Sequence, residues 1–146
     1  MSLESSRDEM GEGVALDWTI DSGNKLVVVV ADGPVTRLDV ERCLAAVRGA
    51  DASAYRKLLD CSKLILAMDD INLLELGSRI RARHHQPVGP LAVVLPQPPL
   101  DARLGRLLGI MAMADRPIRI FKNRTAGRRW LSRLPTPAEA TNEPAD

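Results

Sequence analysis

Arg56 to Gly77, R-K-L-L-D-C-S-K-L-I-L-A-M-D-D-I-N-L-L-E-L-G, decides the fold: a short buried-strand pattern ends in Asp60-Cys61-Ser62, a loop follows, and Met68-Asp69-Asp70 opens an amphipathic helix. The first backbone N–H groups of a helix have no intrahelical partner, and the macrodipole favours negative charge beside them. A strand-loop-helix junction of this kind is a natural recognition surface in an α/β domain. It localises a site better than it names a ligand.

Working outward toward the C-terminus, the helix is expected from about Asp70 to Arg83, with Asp69 as N-cap and Leu73, Leu76, Gly77 and Ile80 on one apolar stripe. Leu91 to Leu95 reads as a buried strand, and Pro96, Pro98 and Pro99 punctuate it. Leu100, Leu104, Leu107, Leu108 and Met111 mark a third helix. Ile118, Ile120 and Phe121 suggest a last strand, and a short helix carries Trp130 and Leu131.

Toward the N-terminus, Val14, Leu16, Trp18 and Ile20 alternate with small or polar residues, the period of a half-buried strand. Asp21-Ser22-Gly23-Asn24 is a turn, and Lys25 to Ala31 is continuously apolar and β-branched, as an interior strand requires. These two strands should form an antiparallel hairpin. Asp32-Gly33-Pro34 is expected to break the second strand. Thr36 with Asp39 resembles a capping box, and Val40, Cys43, Leu44 and Val47 form the core face of a helix that stops near Gly49.

The order is therefore β-β-α-β-α-β-α-β-α, and strands separated by single helices are joined most easily as right-handed parallel crossovers. An α/β fold with a mixed, mostly parallel sheet follows. The chain is expected to divide into a flexible N-terminus (1–13), one domain (14–134) and a disordered tail (135–146) that lacks large apolar groups.

With 146 residues the chain has the size of one domain with a single core. Its aromatic content is only 3%, so Leu, Val, Ile and Met must fill that core. Cys43 and Cys61 have no C-x-x-C spacing and read as buried free thiols in a reducing compartment. The polar, acidic start lacks the features of a secretory signal, and no apolar run approaches the roughly 18 residues that span a bilayer, so the expected setting is cytoplasmic.

The net charge of +1 hides a polarity. Glu4, Asp8, Glu9, Glu12, Asp17 and Asp21 face Arg7 alone at the start, whereas Arg116, Arg119, Lys122, Arg124, Arg128, Arg129 and Arg133 follow one another without an acid. A solvated face is the simpler reading of the basic run, with an anion-binding patch the alternative. Nucleic acid is disfavoured, because only Phe121 and Trp130 lie near these residues and both read as core. No Walker, dinucleotide or nucleophile-elbow motif occurs. Asp60 stands near a strand end, where α/β sheets place ligand groups, but no acid/base partner is evident. Adjacent His84 and His85 splay by roughly 100° on a helix, a poor spacing for one metal. No cofactor, no metal and no catalytic residue is expected.

The segment from Val14 to Leu134 resembles the STAS and anti-sigma-factor-antagonist superfamily, in particular its bacterial single-domain branch. The resemblance rests on Leu58-Leu59-Asp60-Cys61-Ser62, Met68-Asp69-Asp70, Leu91-Ala92-Val93-Val94, Ile118-Arg119-Ile120-Phe121-Lys122-Asn123 and Trp130-Leu131. It implies a sheet built as a β-α superhelix, an architecture shared with lipid-binding CRAL-TRIO domains. Phospho-regulated members carry a motif like Met-Asp-Ser-Ser-Gly-Leu whose second Ser accepts phosphate. Here Met68-Asp69-Asp70-Ile71-Asn72-Leu73 stands in its place, and Ile71 has no hydroxyl.

The resulting expectation is a non-enzymatic STAS-like module that binds a protein or small ligand at the second-helix N-terminus, through Ser62, Asp69, Asp70, Ile71 and Asn72, without a phosphoserine switch. The loops Asp32 to Val35, Ser62 to Asp70 and Pro96 to Pro99 would frame the surface. The alternative is a small apolar-ligand or lipid carrier. Gly105 and Gly109, four apart on one helix face and flanked by Ile110, Met111 and Met113, mark a possible apolar-ligand or homodimer face.

Overall fold

The computed structural model describes residues 15–83, 85–96, 102–114 and 116–135. Its elements are β1 (Leu16–Asp21), β2 (Leu26–Val35), α1 (Arg37–Gly49), β3 (Arg56–Leu66), α2 (Asp70–Ala82), β4 (Leu91–Val94), α3 (Ala102–Ala112), β5 (Ile118–Phe121) and α4 (Arg124–Ser132). The sheet order is β1-β2-β3-β4-β5. Only the β1–β2 pair is antiparallel, and each later strand lies parallel to its predecessor. This is the expected mixed sheet. Val14, the segment 1–13, residues 136–146 and Gln97 to Leu100 lie outside the described residues.

The hairpin turn is held by Asp21, whose carboxylate accepts from the Asn24 backbone amide at 3.1 Å and from the Asn24 side chain at 2.7 Å. Thr36 and Asp39 form the capping box of α1, each side chain accepting from the other's backbone N–H. Three crossovers place α1, α2 and α3 on one face. Leu16, Trp18, Val27 and Val29 pack there with Cys43 and Val47, and Leu91 and Val93 pack with Leu73, Leu76, Leu104 and Leu107. The opposite face is covered by α4, whose Leu131 sits in a cluster with Leu58, Ala92 and Val94. A Cβ on Gly127 would stand 2.9 Å from Leu58 Cδ1, so this glycine sets how closely α4 approaches the sheet.

Two expectations are corrected at the centre of the fold. Asp32-Gly33-Pro34 does not end β2, which continues to Val35 opposite Leu66 of β3. Asp60-Cys61-Ser62 does not end β3 either; that strand runs on to Leu66, so the loop before α2 shrinks to Ala67-Met68-Asp69. The cause is a bulge. Asp60 pairs with Val30 and Lys63 with Asp32, so Cys61 and Ser62 together oppose Ala31.

The bulge reverses the alternation of β3. Before it, Leu58 joins the α4 cluster; after it, Leu64 and Leu66 join the clusters under α1 to α3. An unbroken strand would keep positions 58, 64 and 66 on one face. The extra residue is what lets the extended end of β3 cover the main core.

Candidate functional site

The first turn of α2 is built by Asp69, whose carboxylate accepts from the backbone amide of Asn72 at 2.8 Å and from the Asn72 side chain at 2.9 Å. Asp70 reaches Arg106 of α3 at 3.7 Å, and Arg37 of α1 donates to Asn72 at 3.2 Å and to Glu75. Asp69 is thus committed to the cap, while Asp70, 73% exposed, keeps only a weak surface ion pair. What this surface leaves unpartnered is apolar: Ile71 is 68% exposed, Leu74 71% and Leu38, in the first turn of α1, 53%. Arg37 ties the two helix starts together, so the three apolar side chains belong to one end of the molecule.

Ser62 does not belong to this surface. It lies in the β3 bulge, and both its amide (3.0 Å) and its hydroxyl (2.7 Å) donate to Asp60 Oδ1. Asp60 Oδ2 accepts from Arg124 Nε at 2.6 Å. Burial alone pushes the Asp60 carboxyl up, but the two Ser62 donors and Arg124 outweigh it and hold the group below the usual carboxylate range. A buried acid whose oxygens are both occupied secures a bulge and anchors α4. The arrangement offers no free base for proton transfer.

Of the residues proposed for the third-helix face, Ile110 packs inward: a Cβ on Gly77 would stand 2.6 Å from Ile110 Cδ1, so Ile110 fills the α2–α3 contact. A Cβ on Gly105 or Gly109 would meet nothing within 4 Å, and Met113 is exposed. None of these four lines the cavity formed under α1 and α2.

A cavity of about 330 Å³ opens instead between the C-terminal halves of α1 and α2 and the start of β3. Leu44, Val47, Leu76, Ile80 and Met111 form its apolar wall, and Arg48, Lys57, Arg79, Arg83 and Arg116 supply positive charge against Glu41. Glu41 lies 3.2 Å from Arg37 Nε and 3.5 Å from Arg79 Nε. Lys57 donates to the carbonyls of Ser53 and, at 3.0 Å, Tyr55. Arg116 Nε and Nη1 are buried and have no hydrogen-bond acceptor among the described residues. Burial, with Arg116 as a second cause, brings the Lys57 ammonium down to about 7, and burial brings Arg116 down to about 10. The basic run is therefore dispersed: Arg116 enters this cavity, Arg119 lies over Phe121 at 5.5 Å, and Arg124 holds Asp60.

Sequence patterning missed the cavity because Lys57 reads as one polar position in a strand and Arg116 as the first member of a charge run. The cysteines behave as expected. Cys43 and Cys61 are free and buried, and desolvation pushes both thiols up to about 12. His85 places Nδ1 2.9 Å from the Ala82 carbonyl at the end of α2, while His84 lies outside the described residues. Among the described residues no cluster of metal-ligating side chains occurs, and no helix is long and apolar enough to cross a membrane.

No family model matches the chain, and no curated protein matches it in sequence. Among solved structures the chain is similar to a protein of the DUF3478 family with a SpoIIAA-like fold from Shewanella loihica PV-4. The match has a TM-score of 0.52 and 16% sequence identity, and covers 82% of this chain and 93% of that one. Together with five strands, three crossovers on one face and α4 on the other, this likeness assigns the chain the SpoIIAA-like fold, the fold of STAS and anti-sigma-factor-antagonist domains.

Proposed function

We propose that the protein is a non-enzymatic interaction module whose α1–α2 end binds a protein partner. The exposure of Leu38, Ile71 and Leu74 on two helix starts tied by Arg37 carries this reading. Large apolar side chains grouped at one end of a small domain mark contact surfaces, and desolvated apolar anchors supply most binding energy in such contacts. The complementary partner presents an apolar groove with a basic rim, because Asp69 and Asp70 border the patch and are more than a third exposed.

With Ile71 in place of a hydroxyl residue, the contact has no phosphoserine switch at that position. Asp69 and Asp70 serve as cap and cross-helix ion pair rather than as phosphate mimics. A photo-crosslinker placed at Leu74 tests the reading. A partner captured there must be lost when Ile71→Asp is added, with the thermal melt unchanged. Capture that survives Ile71→Asp and Leu38→Asp together places the contact elsewhere.

A further inference from the structure

We propose that the cavity between α1, α2 and β3 is a binding site for a small amphiphilic carboxylate, a medium-chain alkyl acid whose head meets Lys57 and Arg116 and whose tail lies along Leu44, Leu76, Ile80 and Met111. The inference is independent of the proposed partner surface, which occupies the opposite end of α2.

Three observations converge on this ligand class. First, the cavity volume of about 330 Å³ is at the lower end of the range for small-molecule sites, and its wall is largely aliphatic. Second, its charge is one-sided. Glu41, the acid among the described lining residues, is shared by Arg37 and Arg79, so no carboxylate of the described fold pairs with Lys57 or Arg116.

Third, the cations are left incomplete by the fold itself. Arg116 Nε and Nη1 are buried with no acceptor among the described residues, and a buried charge-bearing donor without an acceptor is costly. The Lys57 ammonium has three donors, of which two are directed at the Ser53 and Tyr55 carbonyls. Arg116 and Lys57 also repel one another, which is why Arg116 depresses the Lys57 ammonium further. A single anion between them supplies the missing acceptor and removes the repulsion. A carboxylate suits a guanidinium fork, and the aliphatic wall selects an alkyl chain over a free inorganic anion.

The test titrates the full chain with octanoate, octanol and octylamine by calorimetry, and follows the Leu44, Ile80 and Met111 methyl groups by NMR. Octanoate is expected to saturate at one equivalent and shift these methyls but not those of Leu38, Ile71 or Leu74. Octanol and octylamine should bind at least about tenfold more weakly, the loss that follows from removing one charge-assisted contact. The double variant Lys57→Met/Arg116→Met should lose at least about tenfold in octanoate affinity and bring it level with octanol.

The proposal is overturned if octanol binds as tightly as octanoate, if the double variant keeps octanoate affinity, or if millimolar octanoate leaves the cavity methyls unmoved. The wild-type ligand comparison and methyl map decide the question even where a variant fails to fold. Crosslinking at Leu74 remains a separate readout, so failure of either reading leaves the other standing.

Discussion

Arg124, the first residue of α4, places its Nε 2.6 Å from Oδ2 of Asp60 in the central strand, while Oδ1 of the same carboxylate accepts both donors of Ser62. One buried acid thus fastens the bulge that turns β3 over and the helix that covers the far face.

Removing that acid should separate the two roles. Asp60→Ala strands the Ser62 amide and is expected to cost about 2 kcal/mol. Arg124→Ala should cost less than about 1 kcal/mol, because its side chain is 54% exposed and its charge is screened. Urea unfolding of both variants checks the order. The Asp60 contribution should be present above the ordinary carboxylate range and fall as pH drops through the lowered folded-state value, so Asp60→Asn should flatten the acid limb of the stability curve.

Lys57 predicts the opposite limb. Its ammonium is held down to about 7 from 10.5, so between these values the unfolded chain binds the proton that the fold rejects. Stability from this group should rise as pH increases from about 7 toward 10.5, and be lowest below 7. Cys43 and Cys61, pushed up to about 12, act the other way above about 9 as the unfolded thiols ionise. Comparing thermal melts of wild type and Lys57→Met across pH 7 to 9 isolates the lysine; wild-type stability that does not rise relative to Lys57→Met as pH increases contradicts the assignment.

Two helical glycines should respond differently to alanine. Gly77→Ala meets only the flexible tip of Ile110 and recovers up to about 1 kcal/mol of helix propensity, so it should be near neutral. Gly127→Ala meets Leu58 Cδ1 at 2.9 Å and Ala92 Cβ at 3.4 Å in a fully buried cluster, and should cost about 1–3 kcal/mol. Denaturant midpoints of the pair give the comparison.

On α2, function and stability should divide by helix face. Leu74→Asp should leave stability within about 0.5 kcal/mol and abolish capture by a photo-crosslinker moved to Ile71. Leu76→Ala, two positions on and fully buried, should cost about 2–5 kcal/mol. Equal loss of stability in both variants would mean that the Ile71–Leu74 stripe is core rather than contact surface.

Local chemistry was legible in the sequence wherever the cause was local. The Thr36–Asp39 capping box, the Asp69 cap, the Asp21 turn and the Leu73–Leu76–Gly77 stripe are each decided by residues within one or two turns of one another, and all stand in the structure. The mixed sheet followed from element order, because single-helix crossovers between parallel strands have one hand.

The bulge and the cavity were decided only by the tertiary structure. Whether Cys61 and Ser62 oppose one residue or two depends on the pairing of β2 with β3, which no periodicity within β3 encodes; hence the pattern reads as a strand end at Ser62, although the strand continues to Leu66. Asp70 reads as available in the sequence because its partner Arg106 comes from a different helix. Lys57 and Arg116 line one cavity because the sheet order brings the start of β3 beside the approach to β5 across β4, where α1 and α2 partly bury both cations. Burial, not residue type, sets these two basic residues apart from their exposed counterparts.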